Sequence, residues 1–203
     1  MTAEVVQANP DITFSKRALL NLGDYRVHAP REGVLMQWMR DVDDLRTIFT
    51  EDFNPEKLEQ YLRAIQRHHD VKVNPLRIQR TIEEMKQRDS FDDEAAQLLS
   101  IGCYVLHKKP RWRKVKASVR AFTGGDYYLE TFPFQDTINC IDLASWMKVL
   151  ADQYKIKGGI VSTWDHSHYQ TYTEKVLDPM SKWDTAGFFP DIWQYEKYCS
   201  TYS

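Results

Sequence analysis

The stretch Asn139-Cys140-Ile141-Asp142-Leu143-Ala144-Ser145-Trp146-Met147-Lys148-Val149-Leu150-Ala151 decides how the chain is read. After Cys140, apolar side chains fall at Leu143, Ala144, Met147, Leu150, Ala151 and Tyr154, which trace one face of a 3.6-residue helix. Asn139 before the run and Asp142 three residues later form a capping pair for the first free amides. That places Cys140 at the first helical position, on top of the buried stripe. A thiol there meets the positive end of the helix dipole, which favours thiolate over thiol. The same position also suits a small buried hydrophobe, because most buried cysteines are inert.

Downstream, Gly158-Gly159 reads as a break and Ile160 to Thr173 as β-prone. Within it lies Trp164-Asp165-His166-Ser167-His168-Tyr169, where the two-residue strand period puts His166 and His168 on one face. A turn is expected at Asp178-Pro179, Asp184 follows on what reads as an adjacent strand, and a closing helix starts after Pro190.

Upstream, Leu35, Trp38, Val42, Leu45 and Phe49 mark a buried-face helix. Asn54-Pro55 and Asn74-Pro75 each set a capping side chain before a proline at the first helical position. Ser90 with Asp93 reads as a capping box for a fourth helix through Leu98 and Leu99. Val115 to Ala121 alternates apolar and polar residues as a half-buried strand, ended by Gly124-Gly125-Asp126. The expectation is an α+β fold: a helical region over 1–110, integral to or capping the core, and a catalytic half over 111–203, together one compact domain.

Composition allows this. The chain has 203 residues, 42% hydrophobic and 13% aromatic, enough for a real core. A net charge of −2 gives no whole-chain attraction to nucleic acid or anionic membrane. No apolar run reaches 18 residues and no basic-then-apolar leader opens the chain, so a cytoplasmic location is the default expectation. Cys103, Cys140 and Cys199 are far apart and lack metal-ligand spacing, which argues against a disulfide framework or zinc site.

A cysteine nucleophile needs a base within hydrogen-bond reach and an acceptor to orient that base. With both available downstream, the pattern resembles the transglutaminase-like, papain-related cysteine enzyme superfamily. The resemblance rests on Cys140-Ile141-Asp142-Leu143-Ala144 opening a helix, on the small-residue turn through Gly158-Gly159, on a later histidine, and on Trp183-Asp184. It covers roughly residues 135 to 190. Two departures stand out: Ile138 lies where a glycine often precedes the cysteine, and Gln170 where an aromatic commonly follows the histidine.

The resemblance implies a papain-like core, with the nucleophile at a helix N-terminus against an antiparallel sheet and a Cys140, His168, Asp184 triad. His168 is preferred as base over His166 for its distance from Cys140 and its place inside the strand. Gln135, shortly before the cysteine, is the candidate oxyanion side chain, with a solvated loop residue as its plain reading; His166 and Trp164 are candidates to line the substrate pocket. The implied chemistry is acyl transfer or amide hydrolysis through a thioester on Cys140. Its partners are an acyl donor (amide, ester or thioester) and, in the transferase case, an amine acceptor; no cofactor, metal or membrane is implied. The alternative is an inactive binding module of the same fold.

Other features have plain readings. His107 to Arg120 is strongly basic around Trp112 but reads mainly as a solvated face, so nucleic acid is not the expected partner. His68-His69-Asp70 has no third ligand at helical spacing. The aromatics from Trp183 to Tyr202 read as packing for the last helix, and Cys199 as incidental.

Overall fold

The computed structural model describes residues 25–67, 73–109, 111–112, 125–128, 137–138, 140–162 and 166–202. Its first half is helical: α1 (Glu32–Thr50), α2 (Pro55–Ile65), α3 (Pro75–Gln87) and α4 (Asp93–Lys108). The Asn-Pro signals act as the sequence requires. Asn54 Oδ1 accepts from the amides of Glu56 and Lys57 at 2.8 and 3.1 Å, and Asn74 Oδ1 accepts from Leu76 and Arg77. Proline supplies the fixed φ at the next position. The fourth helix corrects the expected box: its cap is Asp92, which accepts from the Ala95 amide at 2.7 Å, while the Ser90 hydroxyl turns back to the Met85 carbonyl and closes α3.

The second half holds α5 (Cys140–Gln153), an antiparallel meander of β5 (Gly158–Ser162), β6 (Ser167–Thr171), β7 (Val176–Leu177) and β8 (Phe188–Phe189), and α6 (Ile192–Tyr202). Two short parallel pairs join distant segments: β1 (Tyr25–His28) with β3 (Gly125–Tyr128), and β2 (Arg111–Trp112) with β4 (Thr137–Ile138). The fold is therefore α+β. Gly125 and Asp126, read from sequence as a turn, open β3; the strand expected over 115–121 lies outside the described residues.

Gly158 and Gly159 also fall inside a strand rather than at a break. The reversal occurs earlier, at Lys155, whose φ is +58°. Gly158 is needed where it stands because a Cβ would lie 2.5 Å from both the Tyr169 hydroxyl and the Gln170 carbonyl oxygen. The Tyr169 hydroxyl is thereby free to donate to the Ile156 carbonyl at 3.2 Å, tying β6 to the end of α5.

One hydrophobic core runs through both halves. It contains Trp38, Leu45 and Phe49 of α1, Leu58 and Leu62 of α2, Ile78 and Ile82 of α3, most of α4, Leu143 to Ala151 of α5, and Tyr169, Leu177 and Phe188 of the sheet. Helix α4 is its axis, with every residue from Ala95 to His107 buried. Helix α5 differs from the amphipathic expectation because it lies between α4 and the sheet, so the side away from the stripe is buried too. Trp146 on that side packs 5.0 Å from Trp38 and 5.8 Å from Tyr104. Buried Lys175, after the β6–β7 turn, reaches Asp92 and Glu94 at the start of α4 at 3.1 and 3.2 Å.

His107, expected in the basic stretch, is instead a core residue. Its ring is 5% exposed, Nδ1 lies 3.0 Å from the Cys103 carbonyl oxygen, and burial lowers its pKa to about 4. The folded state holds it neutral, whereas the unfolded chain protonates it near 6.5. The unfolded state binds the extra proton between pH 6.5 and 4, so stability falls as the pH drops through that window. By chemical denaturation, the parent protein should lose about 2 kcal/mol from this residue between pH 7 and pH 5, and His107→Gln should lose that share of the pH dependence.

Among the described residues, no helix is long and apolar enough to cross a membrane.

Candidate active site

Cys140 occupies the first residue of α5 and is half-buried. Asn139, the cap read from sequence, lies outside the described residues, as do Gln135 and Trp164. Helix α5 packs against β5 and β6. His166 immediately precedes β6, and the Cys140 side chain is among the groups that favour its charged form.

The ring is committed to a carboxylate. His166 Nε2 lies 2.7 Å from Asp178 Oδ2. The side chain of Asp178 is 1% exposed, against 21% for His166. Beyond His166, Oδ2 accepts from the Ser181 hydroxyl and from the Tyr195 hydroxyl at 3.0 Å, while Oδ1 accepts from the Met180 amide at 3.2 Å. A buried charge persists only when its lone pairs are met this way.

Electrostatics follow from that geometry. Burial pulls the His166 imidazole toward neutrality, but the charge and hydrogen bond of Asp178, helped by Cys140, outweigh it and raise the pKa to about 10. Burial likewise pushes Asp178 up, and the His166 charge and hydrogen bond, with His168 and Ser181, bring it below its ordinary value. The pair is thus an imidazolium and a carboxylate at neutral pH.

Of the residues of the expected triad, Cys140 lies at the helix start read for it. His168 lies inside β6 as anticipated, 6.5 Å ring to ring from His166, but its Nδ1 is 3.1 Å from the Tyr195 hydroxyl and its ring packs on Tyr195 at 4.6 Å. Asp184 is not on a strand. It sits in a 3-10 turn, Trp183–Thr185, where its half-exposed carboxylate faces Arg77 at 3.8 Å and its carbonyl accepts from the Asn74 amide. The carboxylate at the histidines is Asp178, read from sequence only as a turn residue.

The register explains both changes. Tyr169 pairs with Leu177 and Gln170 with Val176. The next step outward sets His168 opposite Asp178, and His166 on the diagonal, where a long reach along the strand edge joins them. Asp178 is then fixed by its amide, which donates to the Gly187 carbonyl at 2.7 Å. Tyr195 and Tyr198 were read as packing for the last helix; they also donate hydrogen bonds, Tyr195 to Asp178 and Tyr198 to the Ser181 carbonyl.

The other cysteines differ in kind. Cys103 is fully buried in α4 and burial alone pushes its thiol far up. Cys199 is half-buried on α6, beside Tyr195.

No protein-family model matches the chain, and no curated protein or solved structure matches it.

Proposed function

We propose that the protein is a cysteine-dependent enzyme of acyl transfer or amide hydrolysis, with Cys140 as nucleophile, His166 as acid and base, and Asp178 orienting His166. The observation that carries this is one imidazole, hydrogen-bonded to a buried carboxylate, whose charged form is favoured by a cysteine at a helix N-terminus. Structural cores rarely hold a cationic histidine with a cysteine and a buried aspartate, whereas nucleophile activation requires all three. The transglutaminase-like resemblance of the sequence supports the same chemistry through a different histidine and aspartate.

In this reading Cys140 reacts as a thiolate with the His166 imidazolium beside it. The thiolate attacks a carboxamide, ester or thioester carbonyl, forming a carbon–sulfur bond and moving an electron pair onto oxygen. The amide of Cys140, at the start of α5, is one donor for that oxyanion. Collapse breaks the bond to the leaving group, which departs with the proton of His166. The neutral imidazole then takes a proton from water or from an amine acceptor as it attacks the thioester, and Cys140 is released as thiolate. Asp178 remains ionised throughout and fixes which ring nitrogen faces the sulfur.

Iodoacetamide at neutral pH, followed by peptide mass mapping of the folded protein, tests the site. Cys140 should alkylate at least about tenfold faster than half-exposed Cys199, with buried Cys103 as the floor. His166→Ala should remove that advantage, and intact mass after incubation with acyl donors should show an adduct lost in Cys140→Ser. Equal rates at Cys140 and Cys199 would refute the reading.

A further inference from the structure

We propose that His168 is a positioning residue: its Nδ1–H, acting through the Tyr195 hydroxyl, holds the Asp178 carboxylate in line with His166. The proposal rests on the reading of Cys140, His166 and Asp178 given above, and adds two residues to it.

The argument is a count of hydrogens. A phenol oxygen offers one hydrogen and two acceptor lone pairs. The Tyr195 hydroxyl lies within hydrogen-bond distance of Asp178 Oδ2 at 3.0 Å and of His168 Nδ1 at 3.1 Å. Burial, Asp178 and Cys199 all push the phenol up, so it keeps its hydrogen. Asp178 is ionised and can only accept, so that one hydrogen goes to Oδ2. None is left for His168. Its Nδ1 must therefore carry a hydrogen and donate to the phenol oxygen. The resulting chain runs His168 Nδ1–H to Tyr195 O–H to Asp178 Oδ2, with His166 Nε2–H arriving at the same oxygen from the other side.

Packing holds the chain rigid. His168 is 2% exposed and Tyr195 is 3% exposed, wedged edge-on against Phe189 with ring centres 5.1 Å apart. Three residues further along α6, the Tyr198 hydroxyl grips the Ser181 carbonyl, so neighbouring tyrosines on one helix face hold both ends of the turn that presents Asp178. An Nδ1–H directed at the Tyr195 hydroxyl gives His168 a defined part without making it the base.

The test uses the full chain and two readouts. Each of His168→Ala and Tyr195→Phe breaks the chain that ends on a charged acceptor, so each should slow Cys140 alkylation by about tenfold or more. The double variant should be no slower than the worse single, because both cut one chain. Asparagine places an amide donor near the former Nδ1, so His168→Asn should restore most of what alanine loses; a base could not be replaced this way. Additive losses, or a His168→Asn as slow as His166→Ala, would overturn the proposal. Long-range proton–nitrogen spectra of nitrogen-15 histidine supply the second readout, with His168 expected as the Nδ1–H form and its Nδ1 signal shifted in Tyr195→Phe. An Nε2–H form, or a signal indifferent to Tyr195→Phe, would also overturn it. If Cys140 of the parent protein proves unreactive, the enzyme reading fails, and the spectra alone then decide whether the chain exists.

Discussion

Asp178→Ala should abolish the reactivity of Cys140 and cost the fold several kcal/mol, the larger chemical effect expected of any change away from the nucleophile and His166. The buried carboxylate receives His166 Nε2, the Ser181 and Tyr195 hydroxyls and the Met180 amide. Alanine leaves these donors without their acceptor, at about 1 to 3 kcal/mol for each that water cannot reach. It also removes the charge that overcomes burial at His166, so the imidazole returns from about 10 to or below its ordinary value and is mostly neutral at pH 7. Alkylation of Cys140 should then fall by roughly two to three orders of magnitude.

Asp178→Asn separates the two causes. Its amide oxygen can still accept where Oδ2 does, so orientation partly survives, while the charge is gone. Stability should drop less than for alanine, and alkylation at pH 7 should fall to an intermediate rate. Denaturant unfolding and iodoacetamide kinetics on the same samples check this. A folded Asp178→Ala protein that labels like the parent would remove Asp178 from the site.

How much of this the sequence carried depended on whether the signal was local. The Asn-Pro caps and the helical period of α1 are written within a few residues, and the structure follows them. The position of Cys140 at a helix start is equally local. The proposed base and orienter were not, because they depend on the register of the β6–β7 hairpin. That hairpin turns through Thr171 to Lys175 with Glu174 at φ +67°, and no glycine or asparagine marks the spot where the chain reverses. Without the turn, the strand starting near Trp164 reads as uninterrupted to Thr173, and Asp178 cannot be set opposite His168. Ser90 failed for a similar reason: two cap candidates two residues apart are told apart only by where α3 ends. His107 misled because a charged neighbourhood in sequence says nothing about which face of α4 meets the core.

The turn that presents Asp178 has one position where a single methyl group should undo it. Gly187 has φ +74°, and a Cβ there would lie 2.2 Å from the Pro179 nitrogen, 2.3 Å from the Asp178 carbonyl carbon and 2.5 Å from its oxygen. These are backbone atoms, one of them in a proline ring, so no rotamer change relieves the overlap. Left-handed backbone alone costs alanine about 1 kcal/mol relative to glycine, and the clash adds to it by forcing apart the Gly187 carbonyl and the Asp178 amide, now joined at 2.7 Å. Gly187→Ala should therefore lose on the order of 3 kcal/mol or more, which for about 200 residues corresponds to a drop of roughly 10 °C in Tm. The same displacement carries Asp178 away from His166, so Cys140 should lose its rapid alkylation at temperatures where the variant is still folded. Gly159→Ala is the control, since a Cβ there meets nothing within 4 Å. Equal Tm and equal labelling for the two variants would show that the Asp178–Pro179 turn does not depend on the close approach of Gly187.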